Sequence, residues 1–112
     1  MRVIRLLVVS LVALLALAGC ASPGGAAPVT VELAVPAEGL GETRQQDIAL
    51  GAPITLRITT AFDDEVHLHG YELTVTTVAG EPVDMVFDAT MAGSYEVESH
   101  VTDEVYLKLV VR

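Results

Sequence analysis

Three observations predict that this 112-residue chain folds as an all-β Greek-key sandwich of about seven strands behind an N-terminal signal helix. From Val29 onward apolar residues recur at every second position, and no stretch sustains the 3.6-residue period of a helix. Turn signals break the alternation at short intervals: Pro36–Glu42 (PAEGLGE), Gly51-Ala52-Pro53, Gly80-Glu81-Pro82 and Ala92-Gly93. The remaining chain, 29–112, is the length of one small domain.

The strands follow in order. Val29, Val31, Leu33 and Val35 share one face of the first. Gln46–Leu50 is a short edge strand, and Ile54, Leu56 and Ile58 point inward on the next. After an acidic turn at Asp63-Asp64, a strand runs from Val66 toward Val78. Val83, Met85 and Phe87 alternate inward, Ser94–His100 forms the closing strand, and Val105, Leu107, Leu109 and Val111 line one face of the last.

The first 19 residues read as a signal peptide. Arg2 and Arg5 precede an apolar run, Leu6–Ala18, that is shorter than the about 20 residues a membrane-spanning helix needs. The run ends in Leu17-Ala18-Gly19-Cys20, which resembles the bacterial lipoprotein box. That resemblance implies lipidation of Cys20, the only cysteine, and a lipid-anchored protein on the extracytoplasmic face of the cell membrane. A lipidated Cys20 leaves the exported domain without a thiol, so it has neither a disulfide nor a thiolate ligand. Residues 20–28 are then the lipidated cysteine and a small, Gly/Pro-rich, flexible tether, and 29–112 the folded domain.

Loss of Arg2 and Arg5 leaves 4 basic residues against 15 acidic ones, a formal charge of −11. This argues against nucleic acid as a partner and is compatible with cations, although solubility at a crowded surface accounts for it equally. The chain is expected to be monomeric, and nothing in it names a protein partner.

Chemistry concentrates in DDEVHLHGYELTV, residues 63–75. Val66 and Leu68 are even-numbered, whereas Tyr71, Leu73 and Val75 are odd-numbered, so one regular strand cannot keep both sets on one face. Either Gly70 marks a bulge, or His67 and His69 share an inward face with Tyr71. Both options put the two imidazoles on one face, roughly 6–7 Å apart along the strand.

Several elements together resemble the cupredoxin family: LGAPITLRITT, then DDEVHLHGYEL, then MAGSYEVESH followed by VYLKLVVR. The D-E-V-H-x-H-G-Y core is similar to that of actinobacterial cupredoxin-like lipoproteins. The resemblance covers about Val29–Arg112 and places His67 at the family's first copper histidine. It places Ser99 where the blue-copper cysteine belongs, and His100 near the second histidine. No methionine stands between Val101 and Glu104. A type 1 centre needs the thiolate, so the resemblance implies the scaffold without blue-copper electron transfer.

The functional expectation is that His67, His69 and His100 converge to bind copper or zinc, with Glu65, Tyr71 and Glu98 orienting the rings. The competing expectation is a metal-free sandwich acting as a protein-interaction or envelope-accessory lipoprotein. A pH-sensing role ranks third. No enzyme activity is expected: Ser99 and His100 are neighbours on a strand and point to opposite faces, and there is no nucleophile-elbow or phosphate-cradling pattern. Asp63-Asp64-Glu65 lacks calcium-loop spacing and reads as a solvated turn, and Glu96 and Glu98 as a solvent face.

Overall fold

Alternation in the sequence becomes alternation in burial. The computed structural model describes residues 25–112. In β1 (Val29–Val35), Val31, Leu33 and Val35 are buried, while Thr30, Glu32 and Ala34 face solvent. The same pattern holds for Ile54, Leu56, Ile58 and Thr60 in β3 (Pro53–Thr60). Signal helix, Cys20 and the start of the tether lie outside the described residues.

The other strands are β2 (Arg44–Ile48), β4 (Asp64–Leu68), β5 (Leu73–Thr77), β6 (Val83–Asp88), β7 (Gly93–Ser99) and β8 (Val105–Val111). They form a three-stranded sheet in the order β1-β3-β6 and a five-stranded sheet in the order β2-β8-β7-β4-β5. The chain crosses repeatedly from one sheet to the other, so β1 lies parallel to β3, and β2 to β8, while the remaining pairs are antiparallel. Leu33, Ile54, Leu56 and Ile58 from one sheet meet Val66, Leu68, Val97 and Leu109 from the other, all nearly inaccessible to solvent. Each such side chain contributes about 1.5–3 kcal/mol relative to exposure, and this closes the sandwich. Thr60 donates to the Phe62 carbonyl at 2.7 Å, which leaves the buried Thr77 hydroxyl to donate to Thr60 and tie β5 to β3.

Three expectations need correction. The edge strand is Arg44–Ile48 rather than Gln46–Leu50. The stretch from Val66 toward Val78 is a hairpin, so the described residues hold eight strands where about seven were expected. Its ladder pairs Val66 with Val75, His67 with Thr74 and Leu68 with Leu73. Every pair joins an even to an odd number, so even residues before the turn and odd residues after it share a face. The parity change marks a four-residue turn, His69–Glu72, and neither a bulge nor a shared inward face. The third correction concerns Asp64, which is buried within β4 rather than solvated.

A bulge does occur elsewhere. Between β7 and β8 the register shifts so that Val97 faces Leu107 but Glu98 faces Val105. The extra residue, Tyr106, turns into the core beside Leu107 and is fully buried. Its hydroxyl donates to Asp64 Oδ2 at 2.8 Å.

Candidate metal centre

Because Val66 and Leu68 face the core, His67 projects from the outer face of the five-stranded sheet. Its ladder partner across β7 is Glu98. His69 opens the hairpin turn, where its amide donates to the Glu96 carbonyl at 2.9 Å. His100 follows β7 directly, and its amide donates to the Glu65 carbonyl at 2.8 Å. Glu104 steadies the turn that carries His100 by accepting the amides of Leu40 and Gly41 at 2.8 and 2.9 Å. Backbone pairing therefore sets the three histidines along β4, with His67 in the middle.

Their rings meet. The His67 centroid lies 4.3 Å from that of His69 and 5.0 Å from that of His100. Each ring also has a carboxylate. His67 Nε2 is 3.3 Å from Glu72 Oε2, His69 Nε2 contacts Glu98 Oε1, and His100 Nδ1 is 2.8 Å from Glu65 Oε1. Glu98 Oε1 is also 3.7 Å from His100 Nε2, so one carboxylate stands between the two outer rings. The Gly70 amide donates to Glu72 at 3.0 Å, and this bond, reinforced by His67, holds the Glu72 carboxyl below the usual carboxylate range.

Among the buried side-chain polar atoms of the described residues, one has no partner. His67 Nδ1 is buried and unbonded, an arrangement that costs free energy unless something occupies it. With the ring proton on Nε2, facing Glu72, Nδ1 carries the lone pair that a neutral imidazole offers a metal. Ligand atoms within 4.8 Å of one another form two overlapping groups, His67 with His69 and Glu72, and His67 with Glu98 and His100. Two imidazoles and a carboxylate suit Cu(II) or Zn(II), whose bonds to nitrogen are about 2.0 Å long, after a small inward movement of exposed side chains.

Of the residues expected to orient the rings, Glu65 and Glu98 touch them and Tyr71 does not. The Tyr71 ring packs against Phe87 and Tyr95 at 4.9 and 4.8 Å, and its hydroxyl donates to the Met91 carbonyl at 3.0 Å. Tyr71 thus props the hairpin. Glu72 was missed, because in an unbroken strand it is only a solvent-facing residue. The signal was the parity change at Gly70, read as a turn that folds Glu72 back toward His67.

Ser99 lies elsewhere. It pairs with Val66 in the ladder, is fully buried, and donates to Asp64 Oδ1 at 2.7 Å while accepting the amides of Val101 and Thr102. Its side chain and that of His67 are on opposite faces of the sheet. Any Cu(II) taken up by a Ser99→Cys variant is therefore expected to lack the intense visible thiolate charge-transfer band. A blue colour in the variant's absorption spectrum would contradict this placement.

No protein-family model and no curated protein matches the chain. Solved structures do. A heme-copper terminal oxidase chain is 19% identical over 74% of this chain and 64% of its own, with a TM-score of 0.58. A copper binding protein solved in its apo form is 11% identical over 74% of this chain and 86% of its own, with a TM-score of 0.59. A laccase from Botrytis aclada is 13% identical over 80% of this chain, with a TM-score of 0.61. The fold is cupredoxin-like. This chain spans 23% of that laccase, so the likeness is that of one cupredoxin-like domain within a larger chain. What the cupredoxin-like scaffold carries here is a histidine and carboxylate cluster on an outer sheet face, with no sulfur ligand among the described residues at that cluster.

Proposed function

We propose that this chain is a lipid-anchored, extracytoplasmic cupredoxin-like protein that binds one copper or zinc ion for handling or sequestration. It is neither an enzyme nor a blue-copper electron carrier. The observation that carries the reading is the packing of His67, whose buried Nδ1 has no partner, against two other imidazoles, each of the three rings beside a carboxylate. The cupredoxin-like fold shared with a copper binding protein supports it. The lipoprotein box at Cys20 and the preceding apolar run support the membrane anchor. When bound, the ion would take nitrogen from His67 and from His69 or His100, while the carboxylates balance its charge. His67 is nearly sheltered, with 13% of its side chain exposed, so it would be the most buried of the ligands, with His69 and His100 47% and 40% exposed.

Titration of the full chain in detergent with micromolar Cu(II) is expected to show about one equivalent taken up, as one bound ion requires. Joint replacement of His67, His69 and His100 with alanine abolishes that uptake. Binding that survives the triple replacement, or none by the parent protein, overturns the proposal. A second reading is favoured by the carboxylate partner that each ring already has: a metal-free sandwich serving as an interaction module of the cell envelope. An absence of copper and zinc uptake by the parent protein would favour it.

A further inference from the structure

The two ligand groups overlap without coinciding. They share only His67, and their outer imidazoles, His69 and His100, lie on either side of it along β4. His69 and Glu72 stand on the hairpin side and His100 toward the other end of the strand, while Glu98 pairs with His67 itself. They also differ in shelter. The hairpin group is open, with side chains of His69 and Glu72 47% and 72% exposed. In the second group Glu98 is 23% and His100 40% exposed. Glu98 stands between them, its Oε1 touching His69 Nε2 and lying 3.7 Å from His100 Nε2.

From this we infer a two-station site, in which a Cu(II) ion is received by His67, His69 and Glu72 and passed to His67, Glu98 and His100. The inference rests on the metal-binding reading above and adds to it an order of events. His67 keeps the ion throughout, so the transfer exchanges ligands one at a time. Glu72, anionic and at the tip of a turn, is placed to meet an incoming hydrated cation. Glu98 then exchanges its contact with the His69 ring for the ion, and His100 completes the sheltered station. No electron or proton need be added: the metal keeps its oxidation state, and each ligand that leaves is replaced by another. Because both stations need His67, only one ion is held at a time.

The test uses the full chain with Cu(II) alone as the probe, in the parent protein and in Glu72→Gln, His100→Ala and His67→Ala. All three substituted residues are exposed or half-buried, and thermal melts check that each variant folds. Glu72→Gln is expected to load at least about 10-fold more slowly in stopped-flow mixing yet release copper to EDTA at the parent rate. His100→Ala is expected to load normally but release at least about 10-fold faster, in the range by which loss of a supporting group weakens metal sites. Their Cu(II) EPR spectra should differ from each other, and His67→Ala should lose both signals. If Glu72→Gln and His100→Ala alter loading and release alike and share one spectrum, or if both lose copper entirely, the site is single and the two-station inference is wrong while metal binding stands. If the parent protein itself takes up no copper, both fall.

Discussion

Asp64→Ala is expected to lower the melting temperature by on the order of 10–20 °C, the largest loss of stability from any single polar side chain in the domain. Asp64 is 3% exposed and accepts three bonds: from the Ser99 hydroxyl at 2.7 Å, the Tyr106 hydroxyl at 2.8 Å and the Glu65 amide at 2.8 Å. Alanine leaves two buried hydroxyls without an acceptor, at about 1–3 kcal/mol each, and a small domain shifts by about 4–8 °C per kcal/mol. Asp64→Asn keeps an acceptor oxygen and should lose less. Thermal unfolding followed by circular dichroism measures both, and an Asp64→Ala protein melting within a few degrees of the parent would show that the network contributes little.

The same network makes a prediction for alkali. Burial pushes the Tyr106 phenol above its ordinary pKa, and the neighbouring Asp64 adds to this. A raised pKa means that the folded state favours the neutral phenol. The stabilisation is therefore fully present below about pH 10 and is lost as pH rises through the folded value. Tyr106→Phe should remove this alkaline loss of stability, measured as melting temperature against pH, although it starts from a lower stability because Asp64 Oδ2 loses its donor.

Gly70→Ala is expected to have the second large effect, reaching both the fold and the proposed metal site. Gly70 has φ +87°, a region that costs an L-residue about 1–2 kcal/mol. A Cβ there would also lie 2.3 Å from Tyr95 Cδ1 and 2.5 Å from Cε1. The ring cannot swing clear, since its hydroxyl donates to the Ala92 carbonyl at 2.9 Å and its face is packed by Tyr71. Strain and overpacking together amount to about 2–5 kcal/mol. Relief requires the hairpin to move, and with it the Gly70 amide that holds Glu72 and the His69 ring beside His67. Copper affinity should therefore fall about 10-fold or more, on the scale of lost support to a metal ligand. Gly80→Ala serves as the control: φ is +77° but nothing lies within 4 Å of the new methyl, so only the conformational cost remains. Equal melting temperatures for the two variants would refute the clash with Tyr95.

How far the sequence reached can be judged from these same residues. Period-2 alternation predicted the buried faces of β1, β3 and β6 correctly, because the pleat of a strand is a local property of its backbone. The H-x-H pair and the cupredoxin resemblance selected His67, His69 and His100, which the structure brings together on one sheet face. Alternation misread the hairpin, since a parity change can come from a bulge or a turn, and only the pairing partner tells them apart. Asp64 looked like a solvated turn residue because its acceptor role depends on Ser99 and Tyr106, which lie 35 and 42 residues away. Tyr106 reaches it only through a one-residue register shift between β7 and β8.

What the sequence determined by itself is therefore the all-β class, the inward face of each regular strand and the three histidines that form the cluster. These follow from residue type and from a local repeat of two. The tertiary structure alone decided that His67 faces outward while Ser99 faces the core, that Glu72, Glu98 and Glu65 are the partners of the rings, and that an aspartate is buried beneath them. Those outcomes depend on register between strands distant in the chain, and a shift of one residue in register exchanges the two faces of a sheet.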